Sequence, residues 1–364
     1  MKKKVMFMIP HLKGGGAEKV LIDILSCLNQ KSYDITLIVL QKQGIYQSQI
    51  PKGIKVKYLM TGTSWMYWLQ SRIIKYFNRL YYQLMIKETY DVEIAFLEGM
   101  ATNLIAHSKN KSSKKIAWIH TDMYQNHWTK NMFYIGNEQK CYTQFNELVF
   151  VSNDAIKAFH RRFQDVYTSE RVIPNPILSE QVIKKARAFQ VSYDCFTIVS
   201  IGRLNSQKGY DLLIEAVARL SSIYDFELVI IGEGPQKKEL EMLIKKLKVE
   251  NYVKLLGYQE NPYPYLKASD LFISSSRTEG YPLVLLEALV LHKAIIATNI
   301  KGNSEILNHG EAGLLCNCTV DEIADALVSV LNGSISIQTL EKQSEQRAKQ
   351  LDMQQILDKI EALL

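Results

Sequence analysis

No apolar run in this 364-residue sequence reaches the ~18 residues that a membrane-crossing helix needs, so a spanning protein is not expected. The start, MKKKVMFMIP, breaks at Pro10 and has no small-residue cleavage site. It reads as a first strand rather than a secretion signal. The five cysteines form no C-x-x-C pair, and Cys316-Asn317-Cys318 stands too isolated for a zinc site, which takes about four ligands. Reduced thiols in a cytosolic protein fit that usage. Asp-x-Asp, a frequent metal-holding pair, does not occur. Neither Gly-x-Gly-x-x-Gly nor a Walker loop is present: Lys19 stands where the first needs glycine, and no Gly-Lys-Ser/Thr follows the glycines for the second. Internal repeats and low-complexity segments are absent.

What remains is ordinary globular composition, 47% hydrophobic and 22% charged, with a length that suits about two domains. The net charge of +7 is uneven. Residues 1–150 carry 20 Lys+Arg against 10 Asp+Glu, and the rest 24 against 27. A basic first half suits an anionic partner: nucleic acid, a membrane surface or a charged substrate. Near-continuous apolar runs predict strands at Val5–Ile9, Asp34–Leu40, Lys55–Tyr58, Val92–Phe96, Lys115–Ile119 and Glu147–Val151. After a break they recur at Phe196–Ile201, Glu227–Ile231, Val253–Leu255, Leu271–Ser274 and Ala294–Thr298. Amphipathic patterns between them, such as Ala17–Leu28, Gly209–Leu220 and Gln236–Leu247, predict helices. The alternation implies two α/β domains with parallel sheets buried on both faces. Pro174 and Pro176 mark the break near 175, residues 179–190 read as a helical connector, and the tail from Glu341 reads as one or two closing helices.

Three loops carry candidate chemistry. In Pro10-His11-Leu12-Lys13-Gly14-Gly15-Gly16, glycines precede a helix, where backbone amides and the helix dipole favour an anion; a plain tight turn is the alternative. Gly202-Arg203 through Lys208-Gly209 follows a strand and sets two cations at the carboxyl edge of a parallel sheet. TEGYPLVLLEAL, residues 278–289, places Glu279 and Gly280 before Pro282 and Glu287 five residues into a helix. A carboxylate in that apolar run needs hydrogen-bond donors, from sugar hydroxyls, local backbone or Arg277.

Together Gly14 to Glu18, Val151-Ser152-Asn153, Gly202-Arg203 with Lys208-Gly209, Gly232 to Pro235, Glu279 to Pro282 with Glu287-Ala288, and Gly302 through Glu305 to Leu315 resemble the retaining, nucleotide-sugar-dependent glycosyltransferases of family 4. The motifs fall in the family's order over nearly the whole chain. The resemblance implies a GT-B fold, two facing Rossmann-like domains with the active site in the cleft. It divides the chain into an acceptor domain (1–175), a nucleotide-sugar domain (176–345) and a C-terminal helix (346–364) that packs back on the first domain. It implies that Glu287 binds ribose and that Arg203 and Lys208 neutralise the diphosphate. Glu279, Gly280, Tyr281, Pro282 and Leu283 would meet sugar and phosphate, with Gly202 beside them. Gly15 and Gly16 would approach the diphosphate, and His120 would lie near the donor sugar. No metal or other cofactor is expected, since cations and helix dipoles would serve the leaving group. No protein nucleophile is assigned.

Residues 58–90 interleave aromatics with Arg72, Lys75 and Arg79. Trp65 and Trp68 beside those cations suit an anionic membrane interface; a core helix with a solvated basic face is the alternative. The expectation is a transferase, peripheral at the cytoplasmic face of the membrane, moving a hexosyl or N-acetylhexosaminyl unit from a UDP-sugar to a polyprenyl-diphosphate-linked glycan. A GT-B enzyme with a soluble or protein acceptor, or a sugar-nucleotide epimerase, is the alternative. Nucleic acid is not an expected partner, because it leaves the paired glutamates and the cation loop without a purpose.

Overall fold

The structure, a computed structural model, describes residues 2–60, 62 and 64–364. The chain forms two compact units, Met1–Pro176 with Met353–Leu364, and Ile177–Asp352. The first holds strands β1 (Lys3–Ile9), β2 (Tyr33–Gln41), β3 (Lys55–Met60), β4 (Val92–Ala95), β5 (Lys114–Ile119), β6 (Glu147–Phe150) and β7 (Ser169–Val172). They pair in parallel in the order β3-β2-β1-β4-β5-β6-β7. The second holds β8 (Thr197–Ile201), β9 (Glu227–Ile231), β10 (Val253–Gly257), β11 (Leu271–Ser274), β12 (Ala294–Thr298) and β13 (Leu314–Cys316), parallel in the order β10-β9-β8-β11-β12-β13.

Both orders follow from one physical pattern. Strands flanked by neighbours and covered by helices are apolar on both faces. Val5 to Ile9 and Ile35 to Leu40 are buried throughout, and Val5 is in register with both Ile35 and Val92. The two strands that the apolar runs do not predict are the sheet ends. In β7, Ser-Glu-Arg-Val, no residue is fully buried, and β13 is three residues long. An edge strand needs no apolar run, so neither leaves one.

In each sheet the strand order reverses beside the first strand, between β1 and β4 and between β8 and β11. The loops leaving the carboxyl ends of those strands diverge there, which opens the crevice where such sheets bind ligands. The loops that meet it are 10–15 and 96–99 in the first unit, and 202–209 and 275–282 in the second.

At the tail, the helix Ile337–Ala348 runs through the expected division at 345 and stays with the second unit. The helix Met353–Glu361 belongs to the first. There Ile360 and Leu363 are buried, and Lys114 Nζ donates to the Leu363 carbonyl at 2.9 Å.

Candidate functional site

In the second unit, loop 202–209 and loop 275–282 are stitched together. The Arg277 amide donates to the Gln207 carbonyl (2.7 Å), Gln207 Nε2 to the Thr278 carbonyl (2.9 Å), and Ser275 Oγ to the Lys208 carbonyl (2.8 Å). Gly209 sits at φ +64°, and a Cβ there would lie 2.2 Å from the Ser275 carbonyl oxygen, so only glycine allows this approach. The stitching brings Lys208 Nζ to 2.6 Å from Glu279 Oε1, which also accepts from Ser276 Oγ at 2.9 Å. Both members of the ion pair keep a small exposed fraction, 18% for Lys208 and 11% for Glu279, so they are reachable. Arg203 is exposed at the end of β8. Arg277 grips Asp211 with both terminal nitrogens (2.8 and 2.6 Å) and holds that carboxyl below its usual range.

Pro282 is the N-cap of the helix Leu283–Val290, as its fixed φ suits, and its own side chain provides no cap. Glu279 and Gly280 therefore lie in the preceding loop and Glu287 lies in the helix. Glu287 is 6% exposed and accepts from Tyr263 Oη at 3.0 Å. Gly302 presses on the same loop: a Cβ would lie 2.7 Å from the carbonyl oxygens of both Glu279 and Gly280. Below it, Asn303 Nδ2 donates to the Thr298 carbonyl (2.9 Å), and Thr298 Oγ1 to that of Ser276 (2.6 Å). Tyr281 is buried, which pushes its phenol up to about 12. The expected residues Gly202, Arg203, Lys208, Glu279, Gly280, Tyr281, Pro282, Leu283 and Glu287 thus stand on two adjoining loops and one helix.

In the first unit the glycine loop carries its own anion. Glu18, buried in the first turn of the helix Gly16–Cys27, takes the amides of Gly14 (2.6 Å) and Gly15 (3.1 Å) on Oε2, and its Oε1 lies 2.9 Å from His11 Nδ1. The Gly15 amide expected to face a diphosphate is therefore already engaged, because the carboxylate three residues on turns back onto it.

His120 follows β5 and is buried. Its ring lies against Phe96 (centroids 4.9 Å) and parallel to Trp118 (6.2 Å, 14°). Burial lowers its pKa to about 3, so the imidazole is neutral. The Phe96 carbonyl opposes that shift without reaching hydrogen-bond geometry with either ring nitrogen, and neither nitrogen has a partner among the described residues. Beneath the turn lies Glu98, with no exposure, whose Oε1 accepts from the His120 amide (2.6 Å), the Thr121 amide (2.8 Å) and Thr121 Oγ1 (3.0 Å).

The helix Ser64–Met85, interrupted at Phe77, buries Ile74 and Tyr82 but leaves large apolar groups outside. Trp65, Trp68, Phe77, Leu80 and Leu84 are each more than half exposed. Arg72 lies over the Trp68 ring (4.9 Å), and Lys75 over that of Tyr76 (5.7 Å). Arg79 is exposed on the same helix. Core packing explains its inner side; the mixed apolar and basic outer side has no cover within the unit. Between this helix and Met100, Asn131 and Met132 lies a groove of about 420 Å³, lined by Arg72 and Lys75.

Four contributors escape a reading of the sequence: Glu98, Ser276, Tyr263 and Asn303. Only Glu98 leaves a trace, an acid before Gly99 at the end of an apolar strand. The Arg277 option for Glu287 gives way to Asp211, which lies 66 positions away in sequence.

A model of the family described as Glycosyl transferases group 1 matches residues 182–350. An uncharacterized glycosyltransferase of Methanocaldococcus jannaschii is 30% identical over 249 residues, 65% of this chain and 60% of its own length. The N-acetylgalactosamine-N,N'-diacetylbacillosaminyl-diphospho-undecaprenol 4-alpha-N-acetylgalactosaminyltransferase of Campylobacter jejuni is 30% identical over 335 residues, 86% of each chain. The crystal structure of Anabaena HepE in complex with UDP and glucose superimposes with a TM-score of 0.79 over 99% of this chain and 98% of that one, at 20% identity, a likeness of fold.

Proposed function

The chain belongs to the group 1 glycosyl transferases and has the GT-B fold, and from that premise we propose that it moves a hexosyl or N-acetylhexosaminyl unit from a UDP-sugar, with retention of configuration, to a polyprenyl-diphosphate-linked glycan at the cytoplasmic membrane face. The observation that carries the donor half is the Lys208–Glu279 pair just before the N-terminus of the helix Leu283–Val290, with buried Glu287 in that helix. Glu287 holds the ribose hydroxyls. Lys208 and Arg203 meet the diphosphate, and the amides around Gly280–Leu283 add the helix dipole.

In the reaction the bond from the anomeric carbon to the phosphate oxygen breaks, and its electron pair leaves with UDP. An acceptor hydroxyl forms the new bond on the same face and passes its proton to the departing phosphate oxygen. Lys208 and Arg203 stabilise charge that grows on that oxygen, which needs no metal ion in this proposal. Glu279, held by Lys208 and Ser276, accepts from a sugar hydroxyl rather than attacking the sugar.

The acceptor half rests on the helix Ser64–Met85 and its basic groove, and on a relative named for a diphospho-undecaprenol substrate. Exposed tryptophans beside cations lie readily among lipid headgroups, and no helix of the described residues is long and apolar enough to cross a membrane. The test is transfer from a panel of UDP-sugars to a polyprenyl-diphosphate-linked sugar, with the product anomer read by NMR and the assay repeated in EDTA. Flotation with anionic vesicles tests the membrane contact. An inverted product, a requirement for added Mg²⁺, or absence from the vesicle fraction would each remove that part of the proposal.

A further inference from the structure

We infer that Glu98 is a positioning residue: from the β4 end it clamps the turn after β5, and so fixes the placement of the neutral His120 ring at the carboxyl edge of the sheet. This rests on the transferase reading, but the clamp can be measured without it.

The geometry is unusual for an acid. Three donors, the amides of His120 and Thr121 and the Thr121 hydroxyl, converge on one oxygen, Oε1, at 2.6 to 3.0 Å. The other oxygen, Oε2, is buried without a partner among the described residues. A carboxyl in this position is costly unless something requires it, because a buried polar atom without a partner loses its hydration and gains nothing in exchange. Helix capping does not require it, since the three donors belong to a strand end and its turn. What the contact does is join two adjacent strands at the crevice edge, β4 through Glu98 and β5 through His120. Gly99 keeps the first side of the joint fixed at φ +97°, where a Cβ would press to 2.7 Å from Met132 Sδ. The second side bears the His120 ring, held between Phe96 and Trp118 with both nitrogens unmatched. The placement of that ring depends on its backbone, since packing on Phe96 and Trp118 fixes its tilt and not its depth. Burial also raises the Glu98 carboxyl, which agrees with a group used as an acceptor rather than as a charge.

The prediction separates acceptor from charge. Glu98→Gln keeps an oxygen for the three donors; Glu98→Ala removes it. By hydrogen exchange, the amides of His120 and Thr121 should exchange at least about tenfold faster in Glu98→Ala, with β5 itself unchanged, and should stay protected in Glu98→Gln. In UDP-sugar turnover, Glu98→Ala should lower kcat about tenfold or more with the donor KM within about threefold, and Glu98→Gln should restore most of it. On a His120→Ala background, Glu98→Ala should cost little more, because it acts through that ring.

Unchanged exchange in Glu98→Ala overturns the clamp, and full additivity with His120→Ala overturns the positioning role. If Glu98→Ala does not fold, Glu98→Gln decides alone. A folded Glu98→Gln that keeps its amide protection but loses tenfold in kcat shows that the charge is needed, and the inference fails. A wild-type chain inactive on every UDP-sugar sinks the transferase reading instead, and exchange still judges the clamp.

Discussion

In the first unit the amides of Gly14 and Gly15 already hold the Glu18 carboxylate, and those of His120 and Thr121 hold Glu98. In the second, the N-cap Pro282 has no side-chain acceptor to give the helix Leu283–Val290, and the carboxylate before it, Glu279, accepts from Lys208 and Ser276. The same crevice of the same sheet type is thus finished in two ways. One unit engages these four amides with its own carboxylates and buries a neutral imidazole. The other keeps the roughly half-unit positive charge of a helix N-terminus and adds two cations to it. The proposed function then divides the work electrostatically, with the diphosphate assigned to the second unit's cations and uncharged hydroxyls to the first. Resemblance of the glycine loop implies a diphosphate contact there as well, and Glu18 already engages the amides of Gly14 and Gly15.

The sharpest way to break this division is Lys208→Ala. If Lys208 stabilises charge that grows on the leaving oxygen, turnover at saturating donor should fall on the order of 100-fold or more. A loss confined to KM would make it a binding group only. Arg203→Ala should fall in the same direction by less, since Arg203 is exposed to water. Glu287→Ala comes next. Removing hydrogen bonds to a buried charged group costs about 1.5–3 kcal/mol, which predicts UDP binding weaker by about 10- to 100-fold in calorimetry. Unchanged UDP affinity would end its ribose role.

How far these residues were readable depends on the range of the contacts that place them. Pro282 separates Glu279 from Glu287 by local backbone chemistry, and the structure has the helix starting directly after it. The inner strands were legible because burial on both faces leaves apolar runs, whereas β7 and β13 leave none. Pairings were not legible. Arg277 finds Asp211, and Lys208 finds Glu279 71 positions away, because strand order and not sequence distance brings loop 202–209 to loop 275–282. The helix Ser64–Met85 was half legible. Its composition also admitted a core helix with a solvated basic face, and the structure leaves Trp65 and Trp68 more than half exposed. Glu18 was legible as part of a motif but not as the anion that fills it, since only the folded turn aims its carboxylate back at Gly14.

Glu18→Ala tests the other side of the comparison. Losing the carboxylate that accepts from the Gly14 and Gly15 amides should destabilise the first unit by about 1–2 kcal/mol. It should also turn the loop into an open anion site, so inorganic phosphate should raise the melting temperature of the variant more than that of the wild type. Equal protection would show that the loop amides never compete for phosphate.

The smallest effect concerns the joint that carries the second unit's cations. Arg277 lowers the Asp211 carboxyl pKa, so this pair stabilises the folded state most where Asp211 is charged in both states, above the ordinary aspartate value of about 3.9. As pH falls through the lowered folded-state value, the carboxylate takes up a proton and that contribution disappears. Both side chains are more than a third exposed, so solvent limits the pair to at most about 1 kcal/mol. Melting curves of wild type and Asp211→Ala should therefore run a degree or two apart above pH 5 and converge in acid. Arg277 also donates to the Ser206 carbonyl at 2.8 Å, so loop 202–209 keeps one tie when Asp211 is gone. Turnover at neutral pH should then fall by only a few-fold. A loss as large as that of Lys208→Ala would mean that the ion pair, and not the backbone stitching, sets the position of the cation.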